Sequence, residues 1–232
     1  MAPPEGMRMK NEREYPAWTK DIMKKLRYHN INTYRHSVRV GFIAYSLWKD
    51  LIETTHDIRL RPQINNILIA GFVHDCGKLN VSKKILDNAG QLSHVEKEII
   101  SWHPHMGAAM IYHHDRDIAD MVRGHHRWGT KFAYIAYPPY FADPFAREEI
   151  ENDNYPIVRK AQIMLAIADK ADVVINRVNG LGGGGVQPEI GKFSERFEEE
   201  INRGDVTEDM LKKALQYAVQ AGEYQQKYWG DF

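Results

Sequence analysis

Along most of the chain, apolar residues recur every three or four positions, the period of one helix face. A first helix is predicted over about residues 15–26. A second is predicted over 33–52, where His36, Val40, Ile43, Leu47 and Leu51 form one stripe. A third should begin near Pro62, a residue suited to a first helical turn. It carries Ile64, Ile67, Leu68, Phe72 and Val73, and is expected to stop at Gly77. A short segment at 83–86 ends at Asn88 and Gly90. Ser93-His94-Val95-Glu96 reads as a capping box with Leu92 as its hydrophobic staple, opening a helix through Ile99 and Ile100. Pro104 should kink or break that helix, and Ile118, Met121 and Val122 carry the pattern on to His126.

The period fails over residues 129–156. There Pro138, Pro139, Pro144 and Pro156 punctuate Tyr134, Tyr137, Tyr140, Phe141 and Phe145. This stretch is too apolar for a simple linker and too broken for a long helix, so it reads as an insert. A strongly apolar helix is predicted over 156–175. A loop at 179–185 follows, containing four consecutive glycines, and two amphipathic helices close the chain over 188–203 and 207–228. Residues 1–14 are polar, with Pro3, Pro4 and Gly6, and should fray. No internal repeat is visible. The expected fold is all-α, with residues 15–232 forming one helical domain.

Composition narrows the function classes. A 232-residue chain that is 43% apolar can fill a core, which excludes a disordered or fibrous protein. With 31 basic and 31 acidic residues it carries no net charge, so bulk electrostatic binding of nucleic acid is not expected. One cysteine, Cys76, excludes an internal disulfide and any CxxC site. No stretch approaches the ~20 apolar residues of a membrane span, and the first residues lack the apolar core of a secretory signal. A soluble, cytoplasmic protein without membrane contact is expected. Eleven histidines stand beside that one cysteine. Any metal here would have imidazole and carboxylate ligands.

The candidate ligands gather at helix ends. His36 lies on the second helix. His74-Asp75 closes the third and is followed by Cys76, Gly77 and Lys78. His103 precedes Pro104, His125-His126 follows Gly124, and Asp169 interrupts an apolar run. Adjacent residues in a helix point about 100° apart, so a His-Asp pair cannot easily grip one ion from mid-helix. At a terminus broken by glycine the pair can diverge and serve two ions, and the two oxygens of a carboxylate can bridge them. Such ligands suit iron, manganese, zinc, cobalt or nickel better than magnesium alone. Singly, each residue has an ordinary explanation. His36 alone would read as a hydrogen-bonded core histidine, His113-His114 as a solvated helix end, His94 as a surface residue, and Cys76 as a small apolar side chain. Asp169 is different: between Ile167-Ala168 and Ala171 it must be exposed, paired or metal-bound.

The ordered set His36, His74-Asp75 with Gly77-Lys78, His103, His125-His126 and Asp169 resembles the HD superfamily of metal-dependent phosphohydrolases, and within it the HD-GYP branch. The run HDCGKLNVSKKILDNAGQLSHVEKEIISWHPHMGAAMI is similar to that branch's central segment, and IADKADVV at 167–174 to its final one. The likeness spans residues 30–180. It implies one metal on His36, His74, Asp75 and Asp169, and a second on Asp75, His103, His125 and His126, with Asp75 bridging. It implies a nucleophilic water or hydroxide between the metals, Lys78 on the phosphate, and Asp172 behind the ligands, orienting one of them. The cofactors implied are two divalent ions, iron or manganese first, with zinc, nickel, cobalt and magnesium also admitted.

The departures from the branch carry information too. Asn32 stands where some HD-GYP members place a glutamate that helps hold a third metal, so two ions are expected, not three. HHRWGTKFAYIAYPPY lacks the GYP signature, and RVNGLGGGG replaces the branch's phosphate-contacting segment. Arg127, Trp128 and Arg177 become the candidate substrate contacts, with the aromatic insert offering faces for a base. The resemblance therefore implies a phosphodiesterase acting on a small phosphoester, a nucleotide or cyclic dinucleotide, with weak activity on cyclic di-GMP. A homodimer is compatible with it. Two alternatives remain open: a mixed-valence di-iron oxygenase using the same His/Asp set, and a metal-binding signalling module without turnover.

Overall fold

The computed structural model describes residues 15–88, 90–128, 155–177 and 190–229. Among them are helices and turns and no strand, so the fold is all-α. Helix α1 (Ala17–His29) leads through Asn30 into α2 (Ile31–Thr55). The Asn30 side chain caps α2 by accepting from the Thr33 amide at 2.7 Å. The α2 stripe is inside as predicted: His36, Val40, Ile43, Leu47 and Leu51 are all buried.

Pro62 does not open the third helix. It sits inside a 3-10 turn, Ile58–Gln63, and α3 runs from Ile64 to Val73. Residues 67–73 of α3 are buried on every side, as befits a helix that is apolar all round. The chain leaves α3 at His74 and enters a second 3-10 turn, Cys76–Asn80. Gly77 therefore lies inside a turn instead of ending a helix. Its role is contact: a Cβ there would lie 1.9 Å from the His103 carbonyl oxygen and 2.7 Å from the Gly107 nitrogen. Cys76, fully buried, points its thiol at the Gly107 carbonyl, 3.6 Å away.

A four-residue helix α4 (Lys83–Leu86) precedes α5 (His94–Ser101), which has the predicted capping box in both directions between Ser93 and Glu96. Pro104 does break the pattern. A new helix, α6 (His103–Ile111), begins after Trp102 with the proline in its first turn, where no amide hydrogen is needed. Helix α7 (Arg116–Gly124) is capped by Asp115 and delivers His125 and His126 just past its end. Helix α8 (Tyr155–Asp172) continues into a π-turn, Val173–Arg177. The helix predicted over 188–203 is instead α9 (Ile190–Ser194), a 3-10 turn (Glu195–Phe197) and α10 (Glu198–Asn202). The turn lets Phe193 and Phe197 both reach the core, edge to face. Helix α11 (Glu208–Trp229) packs on α2 and α8.

Helices α2 and α3 cross at backbone contact. A Cβ on Gly71 would lie 2.4 Å from the Gly41 Cα, so only paired glycines allow this approach. The crossing brings the His36 side of α2 against the His74 end of α3. Residues 1–14, 129–154 of the aromatic insert and the glycine loop lie outside the described residues; 155 and 156 of the insert instead open α8. Among the described residues no helix is long and apolar enough to cross a membrane.

Candidate metal centre

Seven side chains from five parts of the chain converge: His36 from α2, His74 and Asp75 from the end of α3, His103 from the start of α6, His125 and His126 from the end of α7, and Asp169 from α8. All are buried except His126, whose side chain is 39% exposed. Asp75 lies at the middle. Its Oδ1 is 3.1 Å from His103 Nε2, and its Oδ2 is 3.6 Å from His74 Nε2 and 3.8 Å from His36 Nε2. Asp169 Oδ1 is 3.0 Å from His36 Nε2 and 3.9 Å from His74 Nε2, and its Oδ2 is 3.8 Å from His126 Nδ1.

The histidines are held from behind. His74 Nδ1 donates to the Gly71 carbonyl at 2.8 Å, His103 Nδ1 to Ile100 at 2.7 Å, and His125 Nδ1 to Val122. Each partner lies three residues back, a carbonyl in or near the last turn of a helix. A carbonyl can only accept, so each Nδ1 carries the hydrogen and each Nε2 presents a lone pair inward. His36 is held by a carboxylate instead: its Nδ1 donates to Asp172 Oδ2 at 2.7 Å. Such anchoring is what ligating histidines need.

Two observations test whether these residues fit metal ions. His74 Nε2 is buried with no hydrogen-bond partner. His103 Nε2 and His125 Nε2 face each other at 3.3 Å, although both rings carry their hydrogen on Nδ1. Two lone pairs at that distance repel unless a proton or a metal ion sits between them. The donor sets agree with this. One ligand atom from each of His36, His74 and Asp169 lies within 4.8 Å of the others, and the same holds for His74, Asp75 and His125 and for His103, His125 and His126. These residues fit divalent ions of the imidazole-and-carboxylate class.

The protonation states suit such ligands. Burial holds His74 down to about 4, outweighing the raising influence of Asp75. Burial also keeps His125 well below the usual imidazole range, helped by neighbouring histidines; His126, although its side chain is partly exposed, is held low by the protein packed around the rest of its ring, which outweighs the raising influence of Asp169. Burial alone would raise Asp75 and Asp169. Lys78 and His74 beside the first, and His36 beside the second, reverse that and hold both carboxyls well below the usual range. At neutral pH His74, His125 and His126 are thus held as neutral imidazoles beside two ionised carboxylates, the deprotonated forms that bind metal.

Lys78 reaches back to Asp75 Oδ2 at 2.7 Å, with 14% of its side chain exposed. Asp172 is fully buried and sits behind His36. Trp128 lies against α8: its indole donates to Gln162 at 3.4 Å and the Arg159 guanidinium covers its ring. The Arg127 amide donates to the Gly124 carbonyl. The Arg177 side chain lies outside the described residues. Asn32 is exposed on the first turn of α2, and His94, His113 and His114 are exposed on the surface. The sequence reading passed over Arg39, Asn176 and Gln225, which surround Asp172. The available signal was helical spacing, Arg39 three residues after His36 and Asn176 four after Asp172.

The HD domain family model matches residues 33–175, the span that contains all seven converging side chains. Among solved structures the chain is similar to the HD domain of the phosphodiesterase PgpH from L. monocytogenes, at 18% identity over 88% of this chain and 98% of that one, with a TM-score of 0.51. That likeness is one of fold. No curated protein sequence matches the chain.

Proposed function

Because the chain belongs to the HD domain family, we propose that it is a metal-dependent phosphohydrolase that cleaves a phosphodiester in a nucleotide or cyclic dinucleotide. The observation that carries this reading is the pair of inward-facing Nε2 atoms on His103 and His125, 3.3 Å apart beside the ionised Asp75. His36, His74, Asp75 and Asp169 would hold one ion, and Asp75, His103, His125 and His126 the other. Divalent ions bound there supply Lewis acidity toward phosphoryl oxygens and acidify water.

The remaining work falls to the chain itself. The Nδ1 anchors keep four imidazoles from turning, so the ligand atoms are in place before substrate arrives. Asp75, with one oxygen toward His103 and the other toward His36 and His74, spans both halves. The Lys78 ammonium, at the edge of the site, meets the substrate phosphoryl group and offsets the negative charge that builds on it.

The test is hydrolysis of bis(p-nitrophenyl) phosphate by protein loaded with iron or manganese, followed by a panel of nucleotides and cyclic dinucleotides. Oxygen uptake without phosphoester cleavage would favour the oxygenase alternative and reject this reading. Lys78→Ala should lower turnover by about 100–1,000-fold, the usual cost of losing one electrostatic donor in such a site, while elemental analysis finds the metals still bound. Unchanged turnover would return Lys78 to a structural role as the Asp75 counter-ion.

A further inference from the structure

We propose that Arg39 and Gln225 are positioning residues for the His36 imidazole, so that the C-terminal helix α11 sets the geometry of one half of the metal centre. The proposal rests on the metal-binding reading above for its consequence, and on the hydrogen bonds below for its mechanism.

His36 is the one histidine of the buried group whose rear nitrogen is held by a side chain and not by a backbone carbonyl. A backbone carbonyl is fixed by the helix that carries it. The Asp172 carboxylate is not, and could rotate about its terminal torsion. What stops it is a full set of donors. Asp172 Oδ2 accepts from His36 Nδ1 at 2.7 Å and from Arg39 Nη2 at 2.9 Å. Asp172 Oδ1 accepts from Arg39 Nε at 2.6 Å and from Asn176 Nδ2 at 2.8 Å. The carboxylate is fully buried, and the Arg39 side chain is only 11% exposed. The planar guanidinium takes both oxygens at once, which fixes the plane of the carboxylate and hence the direction of the His36 hydrogen bond.

The chain of contacts ends on α11. Arg39 Nη1 donates to the Gln225 side-chain oxygen. The Gln225 amide nitrogen donates in turn to the Arg35 carbonyl at 3.1 Å, so one side chain of α11 grips α2 at two points, on either side of His36 in sequence. Asn176 also donates to the Ala218 carbonyl of α11 at 3.1 Å. Gly222 permits this closeness: a Cβ there would lie 2.3 Å from Asn176 Oδ1. Helix α11 thus holds both residues that lock Asp172, and Asp172 holds His36. Its other ring nitrogen, Nε2, is the atom offered to Asp169 and Asp75. Displacing α11 would free that ring while the carbonyl anchors of His74, His103 and His125 remain intact.

The experiment compares the full chain with its Arg39→Gln, Arg39→Lys and Gln225→Leu variants. Two readouts are used: nitrogen-15 imidazole NMR of the metal-free protein, and titration with Mn2+ followed by EPR. Wild-type His36 should show one sharp Nδ1–H signal, protected from exchange by its bond to Asp172, and Mn2+ should bind in two steps. In Arg39→Gln and Gln225→Leu that signal should broaden and exchange faster. One Mn2+ step should weaken about 10–100-fold, as loss of a residue behind a ligand usually does, and the other by less than about twofold. Arg39→Lys restores the charge but not the fork, so the broadening should persist. Gln225 is partly exposed, and its variant carries the test if Arg39→Gln does not fold. An unchanged His36 Nδ1–H signal in folded Gln225→Leu protein overturns the proposal. So does equal weakening of both Mn2+ steps with a lowered melting temperature, which would mean general loosening. Wild-type protein that binds no Mn2+ rejects the metal reading instead, and the Nδ1–H comparison still decides the positioning role.

Discussion

Asp75→Ala protein will retain neither metal ion. Asp75 has one oxygen 3.1 Å from His103 Nε2 and the other within 3.8 Å of both His36 and His74, whereas Asp169, 3.0 Å from His36, comes no nearer to the second half than 3.8 Å, at His126. Removing its carboxylate takes a ligand from each half together. It also leaves Lys78 as an uncompensated cation at the edge of the site, 2.7 Å from where its partner stood, which opposes metal entry further. Elemental analysis of the purified variant should find both ions lost, and turnover should fall by more than the ~100–1,000-fold cost of a single electrostatic donor. His103→Ala should lose mainly the ion shared by His125 and His126, so the two variants separate bridge from terminal ligand. Asp75→Asn keeps the shape and removes the charge, and serves as the control for folding. Full metal occupancy in Asp75→Ala would refute the bridging role.

The second large effect is expected from one methyl group. In Gly77→Ala the new carbon would lie 1.9 Å from the His103 carbonyl oxygen, 2.7 Å from the Gly107 nitrogen and 2.8 Å from the His103 carbonyl carbon. All three are backbone atoms, so no side chain can swing away and the 3-10 turn must separate from α6. Overpacking of a core typically costs about 1–3 kcal/mol, and the absence of any yielding side chain places this substitution at about 3 kcal/mol or beyond. For a chain of this size that is a fall in melting temperature of roughly 10 °C. The same displacement moves Asp75 away from His103, so metal affinity should fall with stability. A variant that melts with the wild type would show that this joint is looser than its distances indicate.

These two residues show what could be read along the chain and what could not. Five of the seven converging residues were legible because they sit where a helical pattern ends: His74-Asp75 before a glycine, His103 before a proline, His125-His126 after a glycine; His36 and Asp169 lie within helices and stood out only in the company of the others. Such positions stand out in a one-dimensional pattern, and the chain then brings them together. Gly77 was legible only as punctuation. Its function, admitting a backbone carbonyl from a residue 26 positions later, is a matter of tertiary distance that no local period encodes. For the same reason α3 was expected to reach Gly77, although it ends at Val73 and hands over to a tighter turn. The support behind His36 was missed for a related cause. Arg39 and Gln225 look like solvated positions on amphipathic helices, and their partners lie 133 and 186 residues away from Arg39.

The chain's one cysteine gives this joint its own clock. Cys76 is fully buried beneath the Gly107 carbonyl, and burial, reinforced by the Asp75 charge, pushes its thiol pKa up. A thiol so placed is unreactive until the turn lifts off α6, because alkylation needs both access and thiolate. The rate at which a maleimide labels the protein therefore counts openings of the same joint that joins Asp75 to His103. Divalent ions that bind only the closed form should slow labelling by a factor of about 1 + [L]/Kd. A labelling rate indifferent to added metal would mean that the joint opens without disturbing the ligands.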